Sequence, residues 1–459
     1  MDTDLEIGAI IRRTHETYGP ATLFSNIRGH AGYRVVGAPM SYSSHPDARM
    51  ARVAIALGLD PATGGPQIVE TLARAMHNEP IPPMVVPAAP CQQNVLLGDN
   101  TDLLKFPTPM IHNGDGGRYF NTLGIWVLRS PDGKWTNWSI ARAMLIDGQR
   151  MTGFIAGSQH NSLILEMWRE RGEPMPFALV QGAEPAALYV GGMPLPPHVD
   201  ENAYLGGHFG EPIETVHCKT VDLYVPASAE IVVEGHVSLD ETWPEGPMGE
   251  YHGYLNGEVH PFPIYHVSAI THRDNPILPV CSAGKPVDED HTIVCPGISA
   301  VLLNELRAHD LPITSVWFVP ESATHLLTVT LSPDWAQRCG VSAAELGRRI
   351  VEICKNEPSV EHAGRWFSRL MLIDQDIDPT DMRDLMWAWA TRCHTSYGST
   401  VLDMPISILS PVFTDAERFS QRGPVQVLDC LLRDGLSSTA FAENFPADLQ
   451  RRVLAEWDE

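Results

Sequence analysis

Apolar positions recur with a helical period near the N-terminus, with an alternating or short-run pattern through the middle, and with both toward the end. Pro66 followed by Ile68, Val69, Leu72 and Met76 predicts an amphipathic helix with proline in its first turn, ending by Asn78. Pro80, Pro82, Pro83, Pro87 and Pro90 then exclude helix and central strand, so the spacing predicts a linker or an extended edge segment, with a domain boundary there. From about residue 119 to 280 the pattern is that of strands. Ile125 to Leu128 precede the turn Ser130-Pro131-Asp132-Gly133 and a second apolar-rich run, which predicts a hairpin. Asp147-Gly148 turns the chain again, and Ile231 to Val237 and Ile264 to Val267 are further β-branched runs, together suggesting an antiparallel barrel or sandwich. In the last third, Thr328 to Leu331 reads as a strand, and Ser342-Ala343-Ala344-Glu345 reads as a capping box ahead of Leu346, Ile350 and Cys354. Leu370 to Ile373 and Met382 to Thr391 form a strand-then-helix unit, and Leu449 to Trp457 a terminal helix.

Composition narrows the function class. A chain of 459 residues exceeds one ordinary core, and the expected division is 1–110, 111–305 and 306–459. Thirty-two basic against 56 acidic residues give a net charge of -24, which opposes nucleic acid or anionic membrane as partner and favours small molecules. The start lacks a signal-peptide pattern and no apolar run approaches about 18 residues, so a cytoplasmic protein is expected. Eight cysteines without a CxxC pair fit reduced, mostly buried thiols. Neither a Gly-x-Ser-x-Gly elbow nor a P-loop occurs, and the glycines at 114, 116 and 117 do not form the dinucleotide fingerprint.

The candidate chemistry lies in two segments. Glu245-Gly246-Pro247-Met248-Gly249-Glu250 holds two carboxylates in what reads as a Gly/Pro loop, outside any regular element. Asn137 to Arg142 offers a lone arginine among apolar and small side chains. Arginine with two glutamates suits binding of a carboxylate followed by proton transfer. The same composition also describes a surface ion-pair cluster.

Six segments carry a resemblance that reaches over nearly the whole chain: Asp115 to Tyr119, Asn137 to Arg142, Gln159-His160, Glu201 to Tyr204, Pro244 to Tyr254, and Asp288 to Thr292. In these the sequence resembles the UbiD-family decarboxylases that use prenylated flavin mononucleotide, nearest to the ferulic acid and bacterial heteroaromatic acid branches. The resemblance implies an α+β fold with a central split β-barrel, flavin-reductase-like, flanked by an N-terminal α/β segment and a C-terminal α/β oligomerisation domain. It implies a carboxy-lyase in which Arg142 grips the substrate carboxylate, Glu250 donates a proton, and Glu245 holds Arg142. Loss of carbon dioxide leaves carbanion character for the cofactor to absorb, so Glu250 needs a raised pKa.

By the same resemblance, Asn137, His160 and Glu201 hold Mn2+ or Mg2+, a donor set of amide oxygen, imidazole and carboxylate that suits manganese. Potassium is expected near Trp138 and Gly191-Gly192-Met193. The cofactor-binding set is Asn137, Trp138, Ser139, Ile140, Ala141, Arg142, Gln159, His160, Glu201 and Arg422, where Arg422 stands in for a lysine that relatives place near the cofactor phosphate. Asn137 and Arg142 are five apart and would face opposite ways in a straight strand, so a bulge or a strand end is expected between them. Ala156, Tyr251 and His291 are candidate substrate contacts, favouring a flat aromatic or heteroaromatic acid. Asp288 to His291 superficially suggests a second metal site, but four consecutive side chains do not converge on one point. A cinnamate-type acrylic acid, reacting by cycloaddition with the cofactor, is the alternative substrate, and a non-catalytic subunit of a decarboxylase assembly the alternative of another class. The implied partners are a UbiX-type flavin prenyltransferase and further copies of the chain, as a homodimer or homohexamer.

Overall fold

The structure of the chain, a computed structural model, describes residues 1–153, 155, 159–255 and 257–457. It divides into two compact units. The first holds Met1–Leu302 with Pro320–Thr324 and Pro358–Ala363, the second Leu303–Val319, His325–Glu357 and Gly364–Glu459.

The first unit is organised by a nine-stranded sheet of β1 (Asn94–Leu97), β2 (Tyr119–Asn121), β3 (Gly124–Arg129), β4 (Thr136–Ser139), β5 (Ala143–Leu145), β6 (Arg150–Gly153), β7 (Met175–Gln181), β8 (Ile231–Glu245) and β9 (His260–His272). Its order is β2-β5-β6-β9-β8-β7-β3-β4, with β1 pairing β9 off the main path. β2 begins this path, while β3 and β4 end it. Only Thr122 and Leu123 separate β2 from β3, a span of about 10 Å at most. The two ends of the sheet must therefore approach, and the sheet curls into a split barrel. Side chains close the seam: Gln181 Nε2 of β7 donates to Phe120 O at 3.3 Å and to Asn121 Oδ1 at 2.8 Å. Inside, Trp126, Phe177 and Tyr265 form a three-ring cluster with centroids 4.7 to 5.4 Å apart. Ile7 and Ile11 of helix α1 (Glu6–Glu16) join the same core.

The expected helix is present as Gly65–Ala75, with Pro66 in its first turn and Ile68, Val69 and Leu72 buried. Within the proline-rich segment Met84–Val85 is extended and pairs in parallel with Glu214–His217 at a sheet edge. The expected hairpin is β3–β4, joined through Ser130 to Gly133.

The second unit carries β10 (Ile313–Phe318), β11 (Leu326–Leu331), β12 (Arg369–Ile373), β13 (Ser399–Pro405) and β14 (Arg422–Asp429) in the order β10-β11-β12-β14-β13. The inner pairs are parallel and the outer ones antiparallel. Helix Ala343–Asn356 lies close on this sheet, burying Leu346, Ile350 and Cys354, and Gly347 permits that approach because a Cβ there would come within 2.3 Å of Val427. The capping box is only half formed: Ser342 accepts from Glu345 N, but the Glu345 carboxylate is turned to Arg348 and Arg349. The complete box is at Thr414 and Glu417. The terminal helix runs Ala447–Ala455. All eight cysteines are free thiols and six are buried. No helix among the described residues is long and apolar enough to cross a membrane.

Candidate active site

The site begins at the free edge of β4. One edge of β4 pairs with β3, leaving other amides to be satisfied elsewhere. Asp200 Oδ1 accepts from Thr136 N at 2.9 Å, and Glu201 Oε2 accepts from Trp138 N at 2.8 Å. These two acids sit where helix α3 (Glu201–Phe209) starts, so capping the strand edge brings Glu201 beside Asn137, whose Nδ2 donates to Glu201 Oε1 at 2.9 Å. His160 is the first residue of helix α2 (His160–Arg171), and its Nδ1 lies 3.4 Å from Asn137 Nδ2. Its ring makes a T-shaped contact with that of Trp135. Asn137, His160 and Glu201 thus lie together, with the Asn137 amide nitrogen turned toward the other two.

Burial sets their protonation. It pushes His160 down to about 4, helped by His198, so the imidazole is neutral with a lone pair to offer. It pushes Glu201 up to about 8, partly offset by the Trp138 amide. Asn137 Oδ1, Ser139 Oγ and Gln159 Oε1 are buried and find no hydrogen-bond partner among the described residues. Ser139 shares the β4 face of Asn137, and Gln159 directly precedes the N-terminus of α2, where the helix dipole favours an anion.

β4 stops at Ser139 and β5 starts at Ala143, so the strand end expected between Asn137 and Arg142 is present. Ile140, Ala141 and Arg142 are the connector across the barrel seam. Asn121 Nδ2 and Trp126 Nε1 both donate to Ala141 O, at 2.6 and 2.7 Å, and pin it. Arg142 is thereby released from the strand alternation and turned to the second cluster.

There, Arg142 Nε and Nη2 donate to the two oxygens of Glu245 at 2.8 and 3.0 Å, and Nη1 donates to Glu250 Oε1. The bidentate geometry is the strong form of an arginine–carboxylate pair. Tyr119 donates to Glu245 Oε1 at 2.8 Å. Glu245 is not in a loop: it is the last residue of β8, and the loop begins at Gly246. Pro244 conceals this in the sequence, since proline argues against a strand, yet here it pairs with Pro261 in the β8–β9 ladder. The loop is docked by Asp115 and Gly116. Asp115 Oδ1 accepts from Gly249 N at 2.9 Å and Gly116 N donates to Pro247 O at 2.7 Å. Any Cβ on Gly116 would collide with Gly246 O.

Two carboxylates against one guanidinium leave an excess negative charge in a buried place. Burial raises the pKa of Glu250, Arg142 opposes this, and Glu245 and Asp115 add to it, for a net increase. Arg142 remains firmly protonated, its burial outweighed by Glu250 and Glu245.

The remaining candidates are placed as follows. Tyr251 and His291 come together, with His291 Nε2 2.9 Å from Tyr251 O and its Nδ1 2.8 Å from Asp288 Oδ1, so both ring nitrogens are engaged. Gly191 lies under Trp138, its Cβ position 3.8 Å from Trp138 O. Arg422 belongs to the second unit, at the start of β14, where Nε donates to Asp403 at 3.1 Å. Ala156 lies outside the described residues. Sequence reasoning assigned no role to Tyr119, Asp200 or Asn121. Asp200 had a local signal, an acid just ahead of a helix, but the other two are recognised only by their partners.

Comparison with known proteins identifies the family. Three family models match: the N-terminal domain of 3-octaprenyl-4-hydroxybenzoate carboxy-lyase over residues 1–72, its Rift-related domain over 84–286 and its C-terminal domain over 291–425. The chain belongs to the UbiD family of carboxy-lyases. Pyrrole-2-carboxylic acid decarboxylase of Pseudomonas aeruginosa is 40% identical, with 100% of this chain and 93% of the relative covered. Ferulic acid decarboxylase 1 of Saccharomyces cerevisiae is 35% identical, covering 100% and 93%. Among solved structures, the UbiD-class enzyme HmfF from Pelotomaculum thermopropionicum in complex with FMN has a TM-score of 0.82 at 25% identity, covering 100% of this chain and 95% of that one. An evolved dimeric form of it in complex with prFMN has a TM-score of 0.80 at 24% identity, covering 100% and 94%.

Proposed function

We propose that the chain catalyses reversible, non-oxidative decarboxylation of an aromatic or heteroaromatic carboxylic acid with prenylated FMN, Arg142 binding the carboxylate and Glu250 donating the proton. The observation that carries this reading is the part-buried Arg142 held through both oxygens of the buried Glu245 while its remaining terminal nitrogen meets Glu250. Pairing with Glu245 fixes the guanidinium plane. A substrate carboxylate competes with Glu250 for Nη1, and protonation of Glu250 weakens its hold there. The protonated acid then lies beside the carbon that carbon dioxide leaves. When bound, the flavin supplies the electron sink for the carbanion character of that carbon. The identities to pyrrole-2-carboxylic and ferulic acid decarboxylases support the substrate class, and the second keeps a cinnamate-type acid as the other reading.

The residues around β4 fit a divalent cation and a phosphate. Asn137 Oδ1 is an orphaned buried acceptor, His160 is neutral, and Glu201 is a buried carboxyl group that can give up its proton to a cation. These three would hold Mn2+ or Mg2+, which would supply positive charge for the cofactor phosphate, and Ser139 and Gln159 would offer further polar atoms. Potassium belongs to the same reading, beside the carbonyl of Trp138 and Gly191 to Met193. So do a cytoplasmic homo-oligomer and cofactor supply by a flavin prenyltransferase.

The test is production with and without that prenyltransferase. Mass analysis of released cofactor should show a modified flavin only after co-production, and the loaded protein should release carbon dioxide from at least one of pyrrole, furoic, indole, benzoic or cinnamic acids. Absence of flavin in both preparations, with manganese present, overturns the cofactor assignment.

A further inference from the structure

Glu250 acts at a fixed point only if its backbone is held, and it lies in a short turn. Glu250 N donates to Tyr254 O at 3.1 Å and Gly253 N to Glu250 O at 2.9 Å, which closes the turn on itself. Besides its docking on Asp115 and Gly116, it is seated by three contacts. The His112 ring lies under Gly249, where a Cβ would come within 2.5 Å of Nδ1, and His112 Nε2 is 2.7 Å from Ala283 O. The backbone of Lys285 lies under Gly253, which has φ +89 and leaves only 3.0 Å between a Cβ and Lys285 Cα. His291 Nε2 is 2.9 Å from Tyr251 O, the carbonyl next to Glu250.

All three contacts involve the stretch 282–291, with Asp115 also holding His112, and Arg12 gathers that stretch from outside. Arg12, on α1, donates through Nη1 to Ser282 O at 2.8 Å and to Asp288 Oδ2 at 3.0 Å, and through Nη2 to Lys285 O at 2.7 Å. Asp288 in turn accepts from Gly284 N at 2.9 Å and pairs with His291 Nδ1 at 2.8 Å. Asp288 and His291 are fully buried. Gly284 leaves room for Arg12, since a Cβ there would stand 2.7 Å from Nη1 and displace it. Only a planar fork spans these acceptors from one stem, which a lysine ammonium does not do.

We infer that Arg12 is a positioning residue for Glu250, acting through the 282–285 strap and the Asp288–His291 pair; its catalytic part rests on the function proposed above. Arg12 neither touches the Arg142 cluster nor belongs to the segments that carry the family resemblance. Its effect is mechanical: it sets where the turn Gly249 to Gly253 sits, and thereby the distance from the Glu250 carboxyl to the protonated carbon. A displacement of the order of 1 Å costs about 100-fold in rate.

The test uses the full chain as Arg12→Ala and Arg12→Lys. Backbone hydrogen exchange needs neither cofactor nor turnover. Arg12→Ala should accelerate exchange of the Glu250 and Gly253 amides about 10-fold or more, leaving Val127 and Leu179 in the barrel core unchanged, since local opening is independent of global stability. In the flavin-loaded enzyme kcat should fall about 100-fold with KM nearly unchanged and a larger solvent deuterium isotope effect, with Arg12→Lys intermediate in both readouts. Unchanged exchange at the turn, or equal acceleration through the whole first unit, overturns the inference. So does a rise in KM at constant kcat. Selective exchange at the turn alongside normal turnover of Glu250→Gln keeps the mechanical link and removes the proton-donor role instead.

Discussion

Around Arg142 the polar contacts close within the chain, whereas around Asn137 they do not. In the first cluster the guanidinium, both glutamates and the Tyr119 hydroxyl bond one another. In the second, Asn137 Oδ1, Ser139 Oγ and Gln159 Oε1 are buried without partners among the described residues. Each such acceptor costs about 1–3 kcal/mol until something binds it. The first cluster is an apparatus held ready by the protein itself. On the reading proposed above, the second gains its missing partners when cation and phosphate bind.

The largest effect is expected in the closed cluster. Glu250→Gln should lower turnover by about 1000-fold or more while flavin and cation remain bound, as read by initial rates and metal analysis. Normal turnover would remove Glu250 as donor. Because its pKa is raised, the acid is lost as pH climbs through that raised value, so wild-type turnover should decline on the alkaline side.

The open cluster should respond differently. Glu201 is pushed up to about 8 when no cation is bound, so at pH 7 it is mostly protonated and cation binding must displace that proton. Calorimetry in buffers of different ionisation enthalpy should show about one proton released per cation at pH 7, and less as pH rises past 8. Glu201→Gln should abolish the release and weaken cation binding by about 10–100-fold. Release of no proton at pH 7 by wild-type protein contradicts ligation by Glu201.

The smallest effect belongs to Tyr119→Phe, which removes one hydrogen bond to a carboxylate and leaves the bidentate pair in place. A loss of about 1–3 kcal/mol in unfolding free energy is expected, with turnover within about 10-fold of wild type. A turnover loss as large as that of Glu250→Gln would mean that the Arg142 cluster is not self-supporting.

Much of the fold is legible where one signal is local. The helix Gly65–Ala75, the β3–β4 hairpin and the helix Ala343–Asn356 follow from proline placement, turn residues and periodic apolar positions. Glu245 reads locally as a loop residue because Pro244 argues strongly against a strand, and only the long β8–β9 pairing overrides it. Ser342 and Glu345 have capping-box spacing, but two nearby arginines take the glutamate. The break between Asn137 and Arg142 was legible because two residues five apart cannot face one way along a strand.

By itself, the chain's sequence determined the residue types, the strand and helix periods and the family, because each is written in local spacing or in matched segments. Only the tertiary structure decided that Glu201 reaches Asn137 by capping a strand edge, that Glu245 closes β8, and that Arg12 underlies the turn of Glu250. Those contacts join residues far apart in sequence. Their geometry depends on the curl of one sheet and the packing of one helix, neither of which any short stretch encodes.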